Sequence, residues 1–198
     1  MKKLIAITAL TLLASGAALA QQDAKTLANG ICSACHGPEG HSVSPVFPRL
    51  AGQQPAYTVL QLQAFRGHLR GDPNAQAYMW GMASQLSDAT INALADYYAA
   101  QKPVHEAVDD PALVAEGEKI YKNGIPAQGV PACASCHGPN AEGQAAFPRL
   151  AGQHMEYLVA QLHGFQSGLR SNAPIMLAVV RTLSPDQIKA AAAYAASR

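Results

Sequence analysis

Apolar residues fall along this chain at helical spacing, and they do so in two rounds. Leu62, Phe65 and Leu69 stand at i, i+3 and i+7, one face of a helix that starts at Pro55 and is stopped by Gly71-Asp72-Pro73. Ser87 then caps a helix whose inner face is Ile91, Leu94, Ala95 and Tyr98. Later in the chain Ser184-Pro185-Asp186-Gln187 combines a capping box with proline at the first helical position. Asp23 to Ile31 and Pro111 to Asn123 read as opening helices, one for each round. Strand-type alternation is missing, so the pattern predicts an all-α protein.

The two rounds are one module written twice. Phe47-Pro48-Arg49-Leu50-Ala51-Gly52-Gln53 recurs unchanged as Phe147-Pro148-Arg149-Leu150-Ala151-Gly152-Gln153. Gln61-Leu62 with Phe65, Leu69 and Arg70 returns as Gln161-Leu162 with Phe165, Leu169 and Arg170. The offset stays near 100 residues, too long for a solenoid unit. Two tandem domains follow, over 21–101 and 112–198, joined by a proline-containing acidic linker over 102–111. A domain this small is marginal on its apolar core alone and calls for a staple.

The first twenty residues belong to a different pattern. Lys2 and Lys3 precede the apolar run from Leu4 to Leu13, and Ala18-Leu19-Ala20 offers small residues for cleavage. That is the layout of an export signal, cleaved after Ala20. The run is shorter than the roughly 20 apolar residues a membrane anchor needs. Past Ala20 the chain holds 12 basic and 13 acidic side chains, a balance that points away from nucleic acid and from anionic membrane surfaces. The mature chain is expected to be soluble, reaching a membrane only through partners.

Four cysteines in an exported chain would ordinarily be read as disulfides. Here they form Cys32-Ser33-Ala34-Cys35-His36 and Cys133-Ala134-Ser135-Cys136-His137, matching places in the repeat. C-x-x-C-H is the attachment pattern of c-type haem: the thiols add across the two vinyl groups and the adjacent histidine reaches the iron. A zinc site would hold its pairs about 15–20 residues apart. Thiol–disulfide chemistry belongs to an α/β context absent here. Plain disulfides would leave both histidines unexplained. Two covalent haems, on Cys32 and Cys35 and on Cys133 and Cys136, are therefore expected, with His36 and His137 as axial ligands.

The repeat also tests candidates for the other face of each iron. His41, His68, His105, His154 and His163 have no histidine at the matching place, and read as surface or satisfied polar residues. Met79 lies eight residues before Ser87, and Met176 eight before Ser184, so this pair recurs. Met79 and Met176 are the expected thioether ligands, with Met82 the fallback in the first module and core filling the competing explanation. Thioether ligation favours ferrous iron and closes the site to oxygen or peroxide. Around the histidines, the carbonyls of Pro48 and Pro148 are expected to accept the second ring N–H. Arg49 and Arg149 are candidate partners of haem propionates. Tyr78 and Trp80 flank Met79 where Ile175 and Leu177 flank Met176, which predicts the higher potential for the second haem.

Taken together, the paired C-x-x-C-H motifs, the duplicated F-P-R-L-A-G-Q and the Met-x7-Ser spacing resemble the dihaem cytochromes c4 over essentially the whole chain after the export signal. The resemblance implies two class I cytochrome c domains related by approximate two-fold symmetry, with haem propionates near their interface. It implies a periplasmic electron carrier of Gram-negative bacteria, without catalytic residues, that takes electrons from a redox-protein donor and delivers them toward a terminal oxidase. It assigns His36 with Met79 and His137 with Met176. The alternative is a dihaem subunit of a dehydrogenase such as a flavocytochrome. A dihaem peroxidase is a third class, and predicts a displaceable ligand at one iron.

Overall fold

A computed structural model describes residues 23–198; the export signal expected over 1–20 lies outside the described residues. Among the described residues the chain is helical. Extended pairing there is confined to two isolated bridges, Ile125 with Val130 and Gln144 with Phe147. Helix α1 spans residues 23–36, with a widened π turn over Ala28–Cys32 that leads into Ser33–His36. It thus runs past the expected end at Ile31 and carries the first C-x-x-C-H on its last turns. Gly37, at φ 73°, ends it; a side chain there would press on the His41 carbonyl.

Helix α2 is Pro55–Arg66 and ends sooner than the apolar spacing predicts. His68 takes a left-handed φ of 55° and turns the chain, so Leu69 leaves the inner face and is 65% exposed. Helix α3 covers residues 73–83, with a second π turn over Ala75–Met79. Helix α4, Asp88–Ala99, starts where Ser87 Oγ accepts the Thr90 N–H. The second module follows with α5 (Pro111–Asn123), α6 (Ala134–His137), α7 (Met155–Gln166), α8 (Pro174–Val180) and α9 (Pro185–Ala196). The Ser184–Gln187 capping box forms in both directions. In this module the chain between α5 and α6 loops out through Pro126–Gln128, so the second motif sits on a short helix of its own.

Each core is a set of small apolar clusters around a cavity. Ala24, Ala28, Leu94 and Tyr98 pack on one side in the first module, Phe65, Ala75 and Ala83 on the other. Tyr121, Leu158, Ala192 and Tyr194 repeat the first arrangement, and Phe165, Val180 and Ile188 the second. Gly117 lets α5 cross α9 closely: a Cβ would lie 1.9 Å from the Ala190 carbonyl oxygen.

The modules meet through a reciprocal set of bonds. Gln53 accepts from the Arg149 N–H at 2.8 Å and donates to its carbonyl at 2.9 Å. Gln153 does the same with Arg49, at 2.9 Å for both bonds. The linker lies across this seam as a strap. Gly52 faces Pro103 and Gly152 faces the Val104 carbonyl, both at distances that leave no room for a Cβ.

Candidate functional site

Both C-x-x-C-H motifs fold as a single helical turn that presents two thiols and one imidazole to the same side. His36 and His137 are each 7% exposed. Nδ1 of His36 donates to the Pro48 carbonyl at 2.8 Å, and Nδ1 of His137 to the Pro148 carbonyl at 3.1 Å. A carbonyl only accepts, so Nδ1 carries the proton and the Nε2 lone pair is free. Burial lowers the pKa of both rings, more than the carbonyl bond raises it, and so keeps them neutral. Phe47 and Phe147 hold the rings edge-on, at 6.1 and 6.2 Å between centroids.

None of the four cysteines is paired in a disulfide among the described residues. Burial pushes the Cys32 thiol up and Cys133 to about 11. Redox-active C-x-x-C pairs depend on a lowered thiol pKa, so this environment speaks against thiol–disulfide exchange.

The two motifs open on one continuous, mostly apolar cavity of about 940 Å³ that crosses the module seam. Met79 and Met176 both line it. Met79 packs against Phe65 and Ala83, and Met176 against Phe165 and Val180, in matching clusters. Met82 also lines the cavity but is 55% exposed. None of His41, His68, His105, His154 and His163 does. His154 is buried and its Nε2 bonds the Ser42 carbonyl at 2.9 Å, while His41 Nε2 bonds the Lys102 carbonyl at 2.9 Å. Tyr78 faces the cavity against Phe47, at 5.3 Å. Trp80 turns away: its Nε1 donates to the Arg70 carbonyl and its ring stacks on His68 at 4.1 Å. Half of the contrast drawn from the residues flanking Met79 therefore does not reach the site.

A polar seam crosses the cavity. Arg70 donates to Asp72, Gln61, Tyr157 and Gln161, and Arg170 to Gln161, Tyr57 and Gln61, so each guanidinium reaches across to the other module. Arg70 also lies over the Phe65 ring and Arg170 over Phe165. Burial works to lower the Arg70 pKa, but the Tyr157 and Tyr57 phenols and Asp72 outweigh it and hold the charge. The repeated Gln and Arg were visible in the sequence as markers of duplication, without a sign that they face each other.

Arg49 and Arg149 part company. The Arg49 guanidinium is taken by Glu106 of the linker at 2.6 Å and by the Gly152 carbonyl at 2.6 Å, which occupies the group expected to face a propionate. Burial lowers the Arg149 pKa, and its Nε is buried without a hydrogen-bond partner. A haem fits this donor set: paired thiols and a neutral imidazole on one helical turn, a thioether on the same cavity, apolar walls, and an orphaned guanidinium N–H suited to a propionate carboxylate.

The chain is similar to known proteins over most of its length. The cytochrome c family model matches residues 21–100 and again 114–197. Cytochrome c4 of Thiocapsa roseopersicina is 43% identical over 178 residues, covering 87% of this chain and 90% of that protein. The solved cytochrome c4 of Acidithiobacillus ferrooxidans superposes with a TM-score of 0.79 at 41% identity, covering 84% of this chain and 98% of that one. A protein of Thiomonas intermedia named as a thiosulfate dehydrogenase electron acceptor is 38% identical, covering 84% of this chain and 78% of that protein. The two C-x-x-C-H turns of this chain are thus haem c attachment motifs on two tandem cytochrome c domains, and the chain belongs to the cytochrome c4 family of electron-transfer proteins.

Proposed function

We propose that this protein is an exported, periplasmic carrier that moves electrons through two His/Met-ligated haems, His36 with Met79 and His137 with Met176. The observation that carries the reading is the shared cavity: each imidazole and its repeat-matched thioether line it, and one cavity spans both modules. Haem iron supplies reversible one-electron chemistry. The protein's own residues do the rest. Pro48 and Pro148 carbonyls fix the imidazole tautomers and orientation, which strengthens them as ligands. Phe65 and Phe165 hold the methionines in place. His36 with Met79 and His137 with Met176 would hold the haem irons from the chain alone, which would leave no place for dioxygen or peroxide and would suit electron transfer.

On this reading the donor is a reduced redox protein and the acceptor a terminal oxidase, and the chain has no catalytic residues of its own. No helix among the described residues is long and apolar enough to cross a membrane, in keeping with membrane contact through partners only. A second reading is favoured by the Thiomonas relative: the chain receives electrons from a dehydrogenase that oxidises a sulfur compound. Reduction by thiosulfate in the presence of that enzyme, faster than by other periplasmic donors, would select it. The ligand assignment is tested by the far-red band of Met–ferric haem. Two equivalents per chain are expected, and one only would remove Met79 or Met176.

A further inference from the structure

Each attachment motif has a buried phenol beside its first cysteine, and the two phenols come from opposite ends of their modules. In the second module it is Tyr121 of the opening helix α5, 1% exposed; burial, and after it the Cys133 side chain, raises its pKa. In the first module it is Tyr98 of the closing helix α4, 3% exposed and packed in one cluster with Cys32. Counted from the capping serines Ser87 and Ser184, Tyr98 matches Ala195, so the duplication does not account for it. Both rings line the haem cavity.

The two hydroxyls differ. Tyr121 donates to the Gly138 carbonyl at 2.9 Å, so its proton is taken. The Tyr98 hydroxyl is buried without a hydrogen-bond partner. The group it faces is Cys32. Burial raises the Cys32 thiol, and the Tyr98 hydroxyl is the largest influence drawing it back down, as a proton turned toward sulfur would. A buried hydroxyl without a partner is uncommon and calls for a reason. A thiol is a weak acceptor that also carries a proton of its own. When it adds to a haem vinyl group, sulfur bonds the inner carbon and that proton goes to the terminal one. The thioether that results can only accept. Attachment therefore creates the partner that the phenol lacks.

We propose that Tyr98 is a positioning residue for the first haem, donating its O–H to the Cys32 thioether sulfur. The bond holds the sulfur against α4 and aims the positive end of the O–H dipole at the haem edge. A positive dipole there disfavours the added charge of ferric iron and supports the ferrous, electron-loaded state. In the second module Ala195 offers no hydroxyl, and Tyr121 spends its proton on the backbone. The inference needs haem c at Cys32 and holds whichever methionine closes the other face of the iron.

The test uses the full holoprotein. In its reduced form the Tyr98 hydroxyl proton should exchange slowly with water and show a nuclear Overhauser contact to the Cys32 β-protons. In a potentiometric titration with each haem followed by its own methyl NMR signals, Tyr98→Phe should move the first haem about twofold toward the ferric form, about 18 mV for a one-electron couple. The second haem should stay in place. Tyr121→Phe removes a hydroxyl already bonded to backbone, so both haems should stay in place and the variant measures what packing alone does. A Tyr98 hydroxyl proton in fast exchange, or one in contact with another acceptor, overturns the proposal. So does a Tyr98→Phe protein whose first haem moves less than about 1.3-fold, or an equal movement in Tyr121→Phe. The wild-type spectrum decides the matter even if Tyr98→Phe yields no holoprotein.

Discussion

Replacing Gln53 with alanine cuts the seam at one of its two matching points. The side chain accepts from the Arg149 N–H and donates to the Arg149 carbonyl, and both bonds cross between modules. Oε1 also accepts the Gln54 N–H at 2.9 Å, so its loss strands three main-chain groups, each costing about 1–3 kcal/mol when buried, about 3–9 kcal/mol together. These bonds are only part-buried, and water entering the gap recovers some of that. The low end, about 3 kcal/mol, is therefore expected. Guanidinium unfolding of the oxidised holoprotein, followed by circular dichroism, should show a lower midpoint with the slope unchanged. Gln153→Ala should cost about the same, because Gln153 makes the mirror pair with Arg49. Gln53→Glu keeps the shape and the acceptor but turns an oxygen toward the Arg149 carbonyl oxygen, so it should do no better than alanine. A loss below about 0.5 kcal/mol for Gln53→Ala, within the range of ordinary surface changes, would refute the idea that these bonds hold the modules together.

Met79→Leu should remove one equivalent of the far-red ferric band and lower one midpoint potential, whereas Met82→Leu should change neither, as ferric spectra would report. Gly117→Ala should destabilise the second module by about 2 kcal/mol: overpacking against the Ala190 backbone costs up to about 3, and helix propensity returns about 1. Asp72 carries an acid-stability signature. Burial alone would raise its carboxyl, but the hydrogen bond and charge of Arg70 bring it below its ordinary value. The stability it contributes is therefore present above the ordinary carboxylate pKa and is lost as pH falls through the depressed folded value. Asp72→Asn should flatten the acid limb of a Tm-against-pH curve, and an unchanged limb would show that the pair does not matter to folding.

Much of this architecture is legible in the sequence because duplication makes each residue its own control. The all-α class, the tandem modules and the haem motifs all follow from patterns that occur twice, and Met79 is separated from Met82 in the same way. What stays hidden is the reason for a repeat. Phe47-Pro48-Arg49-Leu50-Ala51-Gly52-Gln53 reads as support for the haem site, and Pro48 does serve the imidazole, yet Gln53 serves the other module. A repeated residue looks the same whether it faces its own haem or its twin. Features present once are harder still. Glu106 reads as one acidic residue of a linker, and only the fold brings it to Arg49. His68 turns the chain just after α2 with a left-handed backbone, which apolar spacing does not reveal. The matching Gly168, at φ 77°, was the available clue.

The reciprocal seam also accounts for the number two. Each module offers the same patch, its glutamine and its arginine backbone, and each patch is consumed by the other. An interface of this isologous kind closes on itself. A third copy of the module, added by another duplication, would find no free patch to dock against and would hang from its linker with an uncovered cavity. Growth into longer haem arrays would require a different surface, so the geometry that joins this pair also ends the series.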